Sequence, residues 1–326
     1  MQLELNSTSQ MLRQRWTASW ASMLRLVGAY LLRADVLIDD TARVRHAARG
    51  AALPSVAAII GSMEAMMLEL YHNNVSVCAQ KVRIVLAEKD VPWTSHHLSL
   101  AMGEHLTPKF KAMNPRGVVP VLVHDGNTIV ESSVICAYLD EVFPTPPLSP
   151  ETPLERAAMR LWCKLPDDIL HMACATVSFA ISFGQQLKKQ AGTGLEERLM
   201  KMPDPTRRER QRALIEKGIE TPFFRDHIKV FEKTVAEMEV QLGKTEWLAC
   251  DRYTLADAEI TPYIERLDRL GLAGLWESRP RVAGWFARIK TRPSFKGIAD
   301  YPPTDYDDTG RDGLKNWTRI KELIAA

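Results

Sequence analysis

The sequence predicts a small α/β layer followed by an all-helical domain. Three observations carry this: short strands alternate with helical patterns over residues 67–143, prolines break the chain at 144–150, and long amphipathic stretches follow. Strands are expected near 67–72, 93–98, 119–124 and 127–130, in the order β-α-β-α-β-β-α. That order gives the α/β layer a thioredoxin-like form.

The first strand, Leu68-Glu69-Leu70-Tyr71-His72, alternates at the period of a half-buried strand. Cys78, Val82, Val85 and Leu86 then recur at helical spacing, which puts Ser76 at or just before a helix N-terminus. Further on, Val119-Pro120-Val121-Leu122-Val123 opens a strand with a proline. Proline cannot donate a ladder hydrogen bond, so it belongs at an edge or a bend. A cis bond there would turn the Val119 N–H and C=O toward an extended ligand. Glu131 and Ser132 stand at the mouth of the next helix. A carboxylate, a hydroxyl and unpaired backbone N–H groups in one place suit an α-amino acid head group.

Beyond the proline-rich break, helices are expected over 154–189, 226–242, 255–270 and 281–291. Thr254-Leu255-Ala256-Asp257 has the form of a capping box, in which cap and third residue satisfy each other's backbone N–H, so its role is folding. Between the first two helices lies a polar insertion, 190–225, with Gly192, Gly194, Pro203, Pro205, Pro222 and the cluster Arg207-Arg208-Glu209-Arg210. Connections of that length are usually functional or disordered. The cluster itself reads as a solvated face.

Composition removes several function classes. The chain has 326 residues, 42 basic and 40 acidic, without a long basic tract, so nucleic acid is not an expected partner. Five scattered cysteines, Cys78, Cys136, Cys163, Cys174 and Cys250, include no Cys-x-x-Cys pair and point to free thiols in a reducing compartment. No apolar run is long enough to span a bilayer, and the dispersed histidines offer no metal set. Residues 1–65 differ from the rest, being rich in Arg and Ala and poor in acidic residues. They read as a targeting peptide or, preferred here, as a disordered extension or mis-assigned start, because Met67 stands directly before the first strand.

The succession Ser76-x-x-x-x-Lys81-Val82-Arg83, Asn114-Pro115-Arg116-Gly117-Val118-Val119-Pro120 and Glu131-Ser132 resembles the glutathione transferase family, over roughly residues 67–296. The resemblance implies the glutathione transferase fold: a glutathione-binding domain at 66–143, a linker at 144–152 and an all-α domain at 153–326 that takes the electrophile. It also implies a cytoplasmic homodimer with glutathione as cosubstrate and no metal.

Ser76 matches the catalytic serine of serine-type members, which donates a hydrogen bond to the glutathione sulfur and does not itself attack. The bland alternative is an ordinary N-cap. Glu131 and Ser132 correspond to the pair that grips the γ-glutamyl end, Val119 to the residue that bonds the cysteinyl backbone, with Pro120 fixing the turn, and His105 to a partner for the glycine carboxylate. Cys78 is the rival for a thiol-reducing role, but its helical spacing with Val82 marks it as core-facing. Trp162, Asp167, Leu170 and Phe179, on the first long helix, are the electrophile-site candidates. This segment and the insertion resemble the bacterial β-etherases, which use glutathione thiolate to displace an aryloxide from an aryl ether ketone. A hydrophobic, aromatic electrophile is therefore expected. A glutathione-dependent isomerase or thiol reductase, and a binding protein without catalysis, remain as alternatives on the same fold.

Overall fold

The computed structural model describes residues 68–326, Lys201 and Pro203 excepted, so the expected extension at 1–65 lies outside the described residues. The chain begins with β1 (Leu68–His72), α1 (Val77–Lys89), β2 (Thr94–His97), α2 (Pro108–Met113), β3 (Val121–His124), β4 (Asn127–Val130) and α3 (Ser132–Val142). The sheet runs β2-β1-β3-β4, with β1 and β2 parallel and the other pairs antiparallel. This is the thioredoxin-like layer.

Register decides where function can sit. Tyr71 near the end of β1 pairs with Val121 at the start of β3, and Val121 pairs with Val130 at the end of β4. The segments that carry Ser76, Val119-Pro120 and Glu131-Ser132 therefore all leave or enter the sheet at one end. The parallel pair His72 with His97 brings the loop after β2 to that same end.

The second domain opens with α4 (Pro153–Leu165), whose cap Thr152 accepts from the Glu155 N–H. A π-helical turn, Pro166–Leu170, leads into α5 (His171–Ser178), and a second π turn, Phe179–Phe183, into α6 (Gly184–Ala191). Pro166 has no N–H for the usual ladder, and widening the turn lets the His171 N–H reach the Pro166 carbonyl. The expected helix over 154–189 is thus a real stretch with two re-phased turns.

The 190–225 segment differs from the expected connection: it folds into α7 (Leu195–Met200) and α8 (Pro205–Lys217) and begins α9 (Pro222–Gln241). Asp204 caps α8 through the Thr206 and Arg207 N–H groups, Pro205 starts it, and Leu214 and Ile215 bury its inner side. The expected unstructured connection is instead helical, because Gly192, Gly194, Pro205 and Pro222 stand at helix ends, where they punctuate rather than forbid helix. The domain closes with α10 (Leu255–Arg269), α11 (Pro280–Thr291), α12 (Lys296–Ala299) and α13 (Trp317–Ala325).

The capping box at the head of α10 is formed: Asp257 accepts from Thr254 N–H at 3.0 Å and spends its other oxygen on the Leu248 N–H and the Trp285 indole. One hydrophobic core joins the sheet, α1 and the helices of the second domain, and a small satellite of Leu187, Leu199 and Ile215 lies under α8. Glycine matters at Gly297, where an added Cβ would come within 2.8 Å of the Arg83 backbone, so α12 meets α1 only at a glycine. Among the described residues no helix is long and apolar enough to cross a membrane.

Candidate functional site

The β1–α1 loop is pinned from two sides by arginines. Arg83, wholly buried, donates to the Asn73 and Asn74 carbonyls and to Gly297 O, with its guanidinium over the Tyr301 ring. Arg266 on α10 donates to the Val75 carbonyl and to Ser178, and pairs with Asp308 at 2.8 Å. Three successive carbonyls ahead of Ser76 are thereby fixed by charge-assisted hydrogen bonds.

Ser76 follows as the N-cap of α1, with its hydroxyl oxygen accepting from the Ala79 N–H at 3.3 Å. Its own hydroxyl proton is not engaged by any described residue. A capping oxygen with a spare proton, at the positive end of a helix, can serve the cap and an anion together.

Val119 precedes a cis peptide bond to Pro120, and its own N–H and C=O make no hydrogen bond among the described residues. Pro120 is buried and Val119 partly open, so an unpaired main-chain edge faces outward. Glu131 has φ of 67°, a left-handed value that a non-glycine residue rarely holds. Its half-exposed carboxylate pairs with Arg116 from the Asn-Pro-Arg-Gly segment, and Ser132, at 6% exposure, begins α3.

His105 sits in the short helical turn Glu104–Leu106, with a buried Nδ1 that has no partner, and burial holds its pKa below the usual histidine value. An unpartnered ring nitrogen on a half-buried histidine is a ready donor or acceptor. The sequence-predicted residues of the glutathione half are thus brought to one end of the sheet.

The electrophile-side candidates divide. Asp167 is 56% exposed and lies 3.1 Å from Ser133 Oγ. Trp162 and Phe179 are half-buried, and Phe179 meets Phe183 edge-on and Tyr306 at a tilt. Leu170, expected on the cleft, is 1% exposed and packs in the core, because the π turn rotates it inward. Cys78, expected to face the core, is partly open, with Sγ 3.4 Å from His171 Nδ1. As its helical spacing with Val82 predicts, it packs against the hydrophobic core, and from the second position of α1 it also meets the first residue of α5.

Sequence reasoning missed a second layer. Lys81 is fully buried, 2.8 Å from Glu259 and 2.7 Å from Ser133 Oγ, which joins the two domains beneath Ser132. Asp305 near the C-terminus accepts from the Asn73 amide, the Ser99 hydroxyl and the Leu100 N–H. A short stretch of prolines, tyrosines and acidic residues with no hydrophobic period gave no signal for that segment.

Comparison with known proteins agrees with this geometry. Residues 70–147 match the family model of the glutathione S-transferase N-terminal domain, and residues 205–288 that of the C-terminal domain. Protein LigF of Sphingobium is 30% identical over 240 residues, which cover 71% of this chain and 92% of that protein. Glutathione S-transferase F13 of Arabidopsis thaliana is 29% identical over 237 residues, covering 72% and 95%. The crystal structure of β-etherase LigF superposes with a TM-score of 0.64 at 30% identity, covering 72% of this chain and 99% of that one. Glutathione transferase F7 of Populus trichocarpa gives 0.55 at 28% identity, covering 72% and 98%. A shared two-domain fold, matched family models at both ends and a relative spanned almost completely lead to one conclusion: the chain is an enzyme of the glutathione S-transferase family.

Proposed function

We propose that the protein binds glutathione at the end of the sheet, holds its thiol as the thiolate through Ser76, and adds it to an aromatic ether, releasing an aryloxide. The observation that carries the reading is the Ser76 hydroxyl, which caps α1 and keeps its proton for a sulfur. A free thiol of this kind ionises near pH 8.5, and lowering that by about two units corresponds to about 2.7 kcal/mol of preference for the anion.

Glu131 and Ser132 take the γ-glutamyl end, Val119 pairs with the cysteinyl backbone beside Pro120, and His105 meets the glycine carboxylate. Trp162, Asp167 and Phe179 border the electrophile. The likeness to the LigF β-etherase supports an aryl ether ketone as substrate. So does the aromatic group Phe179, Phe183 and Tyr306, with Phe183 and Tyr306 stacked at 5.1 Å. Aryloxide leaves readily from a carbon next to a carbonyl, so the protein has mainly to position the thiolate. A cytoplasmic homodimer belongs to the same proposal, on family resemblance alone.

The test is chromatography of a racemic β-aryl ether ketone incubated with enzyme and glutathione. A phenol and a glutathione thioether are expected. A preparation that conjugates a chlorinated arene but yields neither product refutes the ether assignment, and one inactive on both refutes the transferase reading.

A further inference from the structure

Cys78 lies on the first turn of α1, two residues past Ser76, and groups from three other elements act on its sulfur. His171 Nδ1 approaches from α5 at 3.4 Å. The Ser132 hydroxyl at the head of α3 is among the groups that favour its thiolate. The Tyr263 hydroxyl of α10, on a residue 0% exposed, has no hydrogen-bond partner among the described residues, and Cys78 is among the groups acting on it. The Pro166–Leu170 π turn sets the helical phase that delivers His171 to this point.

The charges facing the pair favour an ionised thiol. Burial pushes Cys78 up, but the His171 hydrogen bond and charge, the Lys81 ammonium and Ser132 together bring it below the ordinary cysteine value. His171 is raised, chiefly by its bond to Cys78, against burial and the cations Lys81 and Arg207. Cys136 and Cys174, also nearby, are buried thiols held well up or up by burial. Cys163 is the contrast: also partly open, it faces the Glu259 carboxylate, which with burial keeps it protonated.

We propose that Cys78 and His171 form a thiolate–imidazolium pair that exchanges with glutathione disulfide, so that Cys78 becomes a site of glutathionylation separate from Ser76. The Cys78 thiolate attacks one sulfur of the disulfide and the old S–S bond breaks. The electron pair leaves on the second glutathione, whose thiolate takes the proton from His171. Cys78 is oxidised to the mixed disulfide and one glutathione is reduced, so atoms and electrons balance. Because Cys78 follows Ser76 by two residues on the first turn of α1 and the Ser132 hydroxyl acts on its sulfur, the attached tripeptide blocks the γ-glutamyl seat. That last step rests on the proposed glutathione site, and the exchange itself does not.

The test uses the full chain in three arms. Alkylation by iodoacetamide, followed by peptide mapping, is expected to label Cys78 ahead of Cys163, with a rate that persists below pH 7. In His171→Gln the rate at pH 6.5 is expected to fall about tenfold or more, toward that of an ordinary thiol. Incubation with glutathione disulfide is expected to add one glutathionyl group at Cys78, to suppress transferase turnover reversibly by a reductant, and to do neither in Cys78→Ser. Labelling of Cys78 with the same pH profile in parent and His171→Gln, or no adduct at Cys78 with the disulfide, overturns the proposal. An adduct that forms while turnover persists overturns the blocking step. Calorimetric binding of glutathione to Cys78→Ser reads the Ser76 site independently.

Discussion

Lys81 and Glu259 meet at 2.8 Å with side-chain exposures of 0% and 1%. Drying two charges costs about as much as their attraction returns, so such a pair adds little stability while intact and much fragility when halved. Glu259→Ala leaves the ammonium between the domains with only Ser133 and the exposed Asp167 carboxylate at 3.7 Å. Chemical denaturation should show a loss of about 3–5 kcal/mol. A loss below about 1 kcal/mol, the scale of a surface pair, would mean that water reaches Lys81.

On the proposed reading Ser76 carries two duties that one substitution separates. Ser76→Ala removes a cap, so stability should fall by about 1 kcal/mol. Turnover should fall about tenfold or more, with the bound thiol titrating higher and glutathione affinity little changed. Ultraviolet titration of the thiolate together with kinetics tells the duties apart, since a mere cap would change stability alone.

The proposed grip on glutathione rests on Glu131 and Ser132. Glu131→Ala or Ser132→Ala should weaken glutathione binding by about 1.5–3 kcal/mol, the range for hydrogen bonds to a charged group. Arg116→Ala releases the Glu131 carboxylate from its ion pair. It should move affinity less than loss of Glu131 itself. Calorimetry in which both alanine variants bind as the parent does would remove the head-group assignment.

His72 is 1% exposed, with Nε2 on Ser95 Oγ at 2.8 Å and Nδ1 on Arg83 Nη1 at 3.1 Å. Arginine can only donate, so Nδ1 accepts and the ring is neutral. Burial, with the Arg83, His97 and His96 charges, lowers its pKa to about 3. The unfolded imidazole protonates near 6.5, so between these values the unfolded state binds more protons and stability falls as the pH falls. His72→Gln, which keeps a donor and an acceptor, should flatten this acid limb by up to about 1.4 kcal/mol per pH unit. Thermal melts of both proteins from pH 7 to 4 check it, and parallel curves would assign the acid lability elsewhere.

The thioredoxin-like layer was legible because its signals are local. Alternation marks β1, the proline marks the entry to β3, and Ser76 and Thr254 cap their helices as expected. The placement of the candidates for the proposed glutathione site was legible for the same reason, since each stands near the end of a strand or the start of a helix. What escaped depends on long-range packing. Leu170 was expected on the cleft from its helical spacing, but it lies in a π turn and is buried in the core. Arg83, Arg266, Lys81 and Asp305 find partners about 100 or more residues away in sequence, such as Gly297, Val75, Glu259 and Asn73, and no local pattern encodes such partners.

Asp305 accepts from Asn73 across a separation of 232 residues, and the Pro302 carbonyl accepts from Asn74 across 228. Synthesis runs from the N-terminus and domains fold as they emerge, so the sheet and α1 form long before these acceptors exist. Until then the Asn73 amide has the Leu98 carbonyl, and the Asn74 amide, the Ser99 hydroxyl and the Leu100 N–H are left to water. A ribosome that stalls before Asp305 releases a chain with strands, helix and Ser76 in place but no acceptor for those donors. The loop that carries Ser76 therefore reaches its final geometry only once residues 302–305 have been made.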